Sequence, residues 1–156
     1  MQLRNILVAT DFSPAAEQAL ATAIELAREN GGRLTLLHVC EVLPYSTPSL
    51  SMYVPSPEES GDLIAAARRG LDAAKERCAA AGVAAEAAWV TGAPASEIVR
   101  FAAARDADVI VVGSHGGSGF RRLVLGSVAD AVVRNADCPV LMVHEREATE
   151  TTRGAA

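Results

Sequence analysis

Five short apolar runs bounded by turn residues recur along the chain: Ile6–Ala9, Leu34–Val39, Ala87–Val90, Val109–Val112 and Val140–Val143. Apolarity that is continuous rather than alternating predicts strands covered on both faces, as in a parallel sheet. Helical periodicity fills the intervals. Ser13 and Pro14 supply an N-cap followed by proline at the first helical position, Leu20, Ala23, Ile24 and Ala27 share one face, and Asn30-Gly31-Gly32 stops the run. A second helix is predicted over 62–81, with Leu63, Ala66, Ala67, Leu71, Ala74 and Cys78 at helical spacing and Gly82 closing it. A third runs from about Ala95 to Arg105 behind Pro94. The last starts at Ser127, which with Asp130 three residues on fits a capping box, and Val128, Ala131 and Val132 supply its buried face. Alternating strands and helices predict a doubly wound α/β domain.

Right-handed crossovers restrict the strand order, and the most uniformly apolar runs, the first and fourth, belong at the centre. The third, "EAAWV", is more polar and suits an edge. If the first and fourth strands are neighbours, the chain reverses direction between them, and open α/β sheets bind ligands in the crevice at that switch point. The segment Glu41 to Gly61, with four prolines and five serines, breaks the alternation. It leaves the carboxyl end of the second strand, so it reads either as a lid over a ligand or as a plain surface loop. Beyond His144 the chain turns polar, and residues 146–156 are expected to fray.

Composition narrows the functional classes. The chain has 156 residues, half of them hydrophobic, and a formal charge of -5. That charge argues against nonspecific binding to nucleic acid, whose phosphates call for a basic surface. No stretch approaches the roughly 18 apolar residues of a membrane span, and the start is too short in apolar residues for a signal segment, so a cytoplasmic protein is expected. Cys40, Cys78 and Cys138 are widely spaced with no CxxC pair, which predicts three reduced, mostly buried thiols.

The chemistry concentrates in "GSHGGSGFRRLVLGSVADAVV", which follows the fourth apolar run. Glycines let backbone amides approach a ligand, and the first amides of a helix starting at Ser127 lie at the positive end of its dipole. That pairing suits phosphate. Across the switch point stand Ala9, Thr10 and Asp11, where the Asp11 carboxylate suits a ribose or base and repels phosphate. Familiar phosphate templates fail: no GxxxxGK[ST] is present, Arg122 stands where GxGxxG needs glycine, and GxSxG is absent. What fits is G-x2-G-x9-G-S, at Gly113, Gly116, Gly126 and Ser127.

With that pattern, the opening "ILVATDFSPAAEQAL", the segment "LLHV", the approach "TGAPASEIVRFAAARDADVIVVGSHG" and the close "NADCPVLMV", the chain resembles the universal stress protein family over nearly its whole length. The resemblance implies a single domain over 1–145, a five-stranded parallel sheet of order 3-2-1-4-5, a homodimer paired through the last strand, and bound ATP. By matching motif, Ala9, Asp11 and Val39 would surround adenine and ribose. Val112 and Gly113 would line the path to the phosphates, and Gly116, Gly126, Ser127 and Val128 would bind them through backbone amides and the serine hydroxyl. Mg2+ would come with the triphosphate, held mainly by phosphate oxygens and water near Ser127.

Plainer readings stand beside these. Glycines after a strand serve as turn formers, Asp11 serves as a turn or cap residue, and Ser127 serves as a helix cap. His115 reads as a phosphate contact or as a solvated loop histidine, and Arg121 and Arg122 as phosphate partners or a solvated pair. His38 and His144 read as packed or edge residues. No catalytic constellation assembles: a regulatory nucleotide-binding module acting on an unknown protein partner is the first expectation, with slow hydrolysis at most. An ATPase or nucleotidyl transferase is the alternative, although no HxGH element follows His115, and a nucleotide-free interaction protein is the third.

Overall fold

Each apolar run becomes a strand, and every pairing is parallel. In the computed structural model, which describes residues 2–41, 57–115 and 125–145, the order is β1 (Asn5–Ala9), α1 (Pro14–Asn30), β2 (Arg33–Glu41), α2 (Pro57–Ala80), β3 (Ala85–Gly92), α3 (Pro94–Ala104), β4 (Val109–Gly113), α4 (Ser127–Asn135) and β5 (Val140–Val143). The sheet order is β3-β2-β1-β4-β5, as the sequence resemblance implied. The strands with the most continuous apolarity take the centre: Ile6, Leu7 and Val8 of β1 and Val109 to Val112 of β4 are all buried.

Strand alternation divides the core into two layers. Ile6, Val8, Leu34, Leu36, Val109 and Val111 face one side, under Leu20, Ala23 and Ile24 of α1 and Leu71, Ala74 and Cys78 of α2. Leu7, Leu37, Ile110 and Val112 face the other, under Ile98 and Ala102 of α3 and Ala129 and Val132 of α4. Each fully buried Leu, Ile or Val contributes about 1.5–3 kcal/mol, so the two faces together dominate the stability. The three cysteines are free thiols, and burial pushes each above the ordinary thiol range. No helix among the described residues is long and apolar enough to cross a membrane.

Local signals act where expected around α1. Ser13 Oγ accepts the Ala16 N–H at 3.3 Å, Pro14 opens the helix, and Gly31 ends it at φ 60 with its N–H on Ala27 O. At the opposite end of the sheet, one carboxylate does the work of a clamp. Asp108 Oδ2 accepts the N–H groups of Arg4 and Asn5, both at 2.7 Å, while the Asp108 N–H donates to Asn5 O at 2.8 Å. These bonds lock the start of β1 to the start of β4. Asp108→Asn keeps one acceptor oxygen but loses the charge that strengthens both bonds, and is expected to lower stability by about 1–2 kcal/mol in urea unfolding at unchanged slope.

Three expectations shift. Helix α2 begins at Pro57, inside the interval assigned to the Pro/Ser-rich segment, because proline lacks only an N–H that the first helical turn leaves without an intrahelical acceptor. Residues 42–56 of that segment, and the tail 146–156, lie outside the described residues. Leu63, placed on the buried face, is 62% exposed, because the burial of α2 against the sheet starts at Ala67. In α4 the buried face is Ala129 and Val132, one step round from Val128 and Ala131, and Val128 is 38% exposed.

Candidate functional site

The reversal of chain direction falls between β1 and β4, and two loops meet there. After β1 the chain turns sharply: Phe12 adopts φ 63, with its N–H on Thr10 Oγ1 at 3.0 Å, and the Ser13 N–H reaches Asp11 Oδ1 at 3.0 Å. Asp11 is therefore a turn residue whatever else it does. A left-handed conformation is costly for a bulky side chain and persists only when its surroundings enforce it. Here the enforcement comes from the α1/α2 layer. The Phe12 ring stacks on His38, with centroids 4.8 Å apart, and lies over Gly70, where a Cβ would come within 2.5 Å of the ring. His38 Nδ1 lies 2.8 Å from Thr10 O; a carbonyl oxygen only accepts, so that nitrogen carries the proton. His38 is thus a packed residue.

On the other side, β4 ends in Gly113, and Ser114 follows it. A Cβ on Gly113 would sit 2.8 Å from Ala15 C and 2.9 Å from Ala16 N, so the glycine is required by the first turn of α1. Ser114 is fully buried and ties three elements together. Its N–H donates to Val143 O at 2.8 Å, its carbonyl accepts the Gly126 N–H at 2.9 Å, and its Oγ lies 2.8 Å from His115 Nδ1. His115 is half-buried, and its Nε2 is sealed off with no hydrogen-bond partner among the described residues. The imidazole is not the solvated loop histidine of the plainer reading.

Helix α4 opens differently from the expected capping box. Its N-cap is Gly126 with no side-chain cap bond, and Ser127 is the first helical residue. With Gly126 as cap, Asp130 is the fourth helical residue, one past the position a capping box needs, and its carboxylate instead accepts from Arg134 Nε at 2.9 Å. The first intrahelical bond is Asp130 N–H to Gly126 O at 2.9 Å. Ser127, Val128 and Ala129 therefore have amides with no acceptor inside the helix, while the Gly126 amide, expected among the donors, is taken by Ser114.

A cavity of about 370 Å³ opens between these parts. Ala9, Thr10, Asp11, Val39, Val112, Gly113, His115, Gly126, Ser127 and Val128 all line it; Gly116, Arg121 and Arg122 lie outside the described residues. The wall also holds residues that the sequence reading did not single out: Ala16, Leu37, Glu41, Pro94, Ile98 and Ala129. Leu37 and Glu41 had a signal, since they share Val39's parity along β2. Pro94 and Ile98 belong to the start of α3, whose proximity only the tertiary fold reveals.

The cavity is electrically two-ended. Asp11 and Glu41 put two carboxylates on the β1 and β2 side, and the open turn of α4 puts backbone donors and the positive dipole end on the β4 side. No Lys or Arg is among the described residues of the wall. Nor is there, among the described residues, a group of three or more His, Cys, Asp or Glu side chains able to hold a metal ion. Such a wall accepts hydrogen bonds at one end and an anion at the other.

Comparison with known proteins agrees with this geometry. A family model described as the universal stress protein family matches residues 2–144. The chain is similar to universal stress protein YxiE of Bacillus subtilis, 40% identical over 144 residues that cover 89% of this chain and 97% of the relative. Among solved structures it is similar to a universal stress protein in complex with cAMP, at 27% identity and TM-score 0.70, covering 94% of this chain and all of the other. It is also similar to the universal stress protein of Archaeoglobus fulgidus in complex with dAMP, at 28% identity and TM-score 0.66, covering 92% and 99% of the two chains.

Proposed function

Since the chain belongs to the universal stress protein family, we propose that it is a regulatory nucleotide-binding module whose switch-point cavity takes an adenine nucleotide, ATP above all. One observation carries the reading: the open first turn of α4, Ser127 to Ala129, and the acidic residues Asp11 and Glu41 line a single cavity. A nucleotide matches that polarity. Its phosphates meet a helix N-terminus, and its ribose hydroxyls and amino group are donors to carboxylates. The volume lies within the range of small-molecule sites, about 300–1,000 Å³, and Leu37, Val39, Pro94 and Ile98 supply apolar surface for the base. Relatives solved with cAMP and dAMP support the ligand class.

In this reading Asp11 holds the ribose, Val112 and Gly113 border the path to the phosphates, and Ser127 adds its hydroxyl to the amides of α4. Val39 and Ala9 shape the base end. Gly116 joins the phosphate donors by its place in the motif. Mg2+, arriving with a triphosphate, is held by phosphate oxygens and water beside Ser127. The protein works in the cytoplasm as a homodimer paired through β5, a proposal that the exposed Leu141 and Val133 support, because an uncovered edge strand with apolar neighbours invites pairing. Hydrolysis, if it occurs, is slow and acts as a timer for the choice of a protein partner.

Denaturing freshly purified protein and identifying released small molecules by mass tests the reading. An adenine nucleotide at a substantial fraction of the protein concentration is expected. Protein that releases none, and in calorimetry binds neither ATP, ADP nor AMP at millimolar concentration, would refute it.

A further inference from the structure

We propose that Phe12 is a positioning residue for the nucleotide site and that Gly70, across the sheet from that site, seats it. The glycine admits the ring, the ring holds a left-handed main chain, and that main chain presents Asp11. The proposal rests on the nucleotide reading above and adds to it a control point outside the cavity. Two cavities share the turn between β1 and α1 as a wall. Thr10 and Asp11 line the one of about 370 Å³, and the next residue, Phe12, lines a groove of about 510 Å³ together with His38 and Gly70. Phe12 packs with the α1/α2 layer, whereas Leu37, Ile98 and Ala129 of the first cavity belong to the α3/α4 layer, so the two openings lie on opposite faces of the sheet.

Left to itself, the main chain at Phe12 would not stay where it is. At φ 63, a residue with a Cβ is disfavoured against the right-handed region by about tenfold. The core fixes β1 and α1 on either side, so a change at Phe12 has to be absorbed by Thr10, Asp11 and Ser13. It would disturb the Phe12 N–H bond to Thr10 Oγ1 and the Ser13 N–H bond to Asp11 Oδ1. The ring opposes that change: it is stacked on His38, whose Nδ1–H is bonded to Thr10 O, and fitted over Gly70. A Cβ at position 70 would stand 2.5 Å from ring Cε1 and 2.8 Å from Cδ1 and Cζ. With three adjoining ring atoms in its way, the ring would have to leave its seat, and the groove gives it room.

Two substitutions at Phe12 separate the ring from the main chain. Phe12→Ala loses the ring and keeps the disfavoured conformation, so the turn holds its binding form about one tenth of the time and affinity falls about tenfold. Phe12→Gly loses the same ring, but glycine populates positive φ about as readily as negative, so affinity falls only about twofold. A residue that mattered for stability alone would give the opposite order, with glycine no better than alanine. At position 70 alanine is the better helix former, so Gly70→Ala favours α2 while displacing the ring.

The test titrates ATP by calorimetry into the full chain and its Phe12→Ala, Phe12→Gly, Gly70→Ala and Phe12→Gly/Gly70→Ala variants, each shown to be folded by its melting curve. Phe12→Gly should bind about fivefold more tightly than Phe12→Ala. Gly70→Ala should weaken ATP several-fold beside Phe12 and have no effect beside Gly at position 12, where there is no ring to displace. Phe12→Gly binding no better than Phe12→Ala overturns the assignment, as does Gly70→Ala that leaves affinity unchanged or lowers it equally in both backgrounds. The Ser13 amide, which donates to Asp11 Oδ1, reads the same turn without ligand. By NMR it should exchange with solvent faster in Phe12→Ala and in Gly70→Ala than in the unmodified protein. If the unmodified protein binds no ATP, the nucleotide reading falls, and this amide alone decides the positioning: exchange unaltered in both variants refutes it.

Discussion

Ser127→Asp is expected to leave the protein folded and at least as stable as before, while lowering its affinity for adenine nucleotides by at least a hundredfold. The two effects part company because the same dipole acts on both. Ser127 is the first residue of α4 and makes no side-chain cap bond, so the substitution removes no cap. A carboxylate in a first helical turn stabilises the helix by about 0.3–1 kcal/mol. Yet it would stand among the amides proposed to receive phosphate. Two like charges 4 Å apart repel by about 4 kcal/mol at an effective dielectric constant near 20, and a hundredfold loss needs only about 2.7 kcal/mol. Thermal melting and calorimetric titration with ATP read the two quantities separately. A folded variant that binds ATP with undiminished affinity would place the phosphates away from α4.

Gly113→Val is expected to do the reverse, destabilising the protein by about 3 kcal/mol whether or not nucleotide is present. The added Cβ would lie 2.8 Å from a carbonyl carbon and 2.9 Å from an amide nitrogen of α1, and neither can rotate aside as a flexible side chain would. Overpacking a fitted interior costs about 1–3 kcal/mol, and a clash with backbone belongs at the upper end. In a domain of this size each kcal/mol moves the melting temperature by about 2–4 °C, so a fall of about 6–12 °C is expected. Gly113→Ala should show part of it, since the contact begins at Cβ. A melting temperature for Gly113→Val within 2 °C of the unmodified protein, measured without nucleotide, would show that α1 does not require the glycine.

That second result bears on what a glycine in a motif means. Read from the sequence, Gly113 clears the way for a ligand; in the fold its missing side chain also admits α1 from the opposite layer. The sheet itself was legible because its determinants are local and summed: runs such as Val109 to Val112 have no solvent face to encode. Val39 came from the family resemblance, and its parity along β2 was available as a signal for Glu41. Helix ends were less legible. Ser127 and Asp130 have the spacing of a capping box, but Gly126 takes the cap position and its amide bonds Ser114 O, a partner that local spacing does not specify. The buried face of α4 differs by one residue for the same reason, since the docking of a nine-residue helix is set by the sheet beneath it. Pro94 and Ile98 reach the cavity through a crossover, and no local pattern announces that.

Phe12 has one further consequence. Its left-handed main chain orients the turn that carries Asp11, while its ring is wedged between His38 and Gly70 on the other side of the sheet. The conformational penalty of that turn is met once, when the chain folds, and is borne by packing remote from the cavity. A guest arriving at Asp11 finds a wall that is already immobilised, so association need not freeze it, and the entropy of ordering that otherwise weakens recognition is largely absent there.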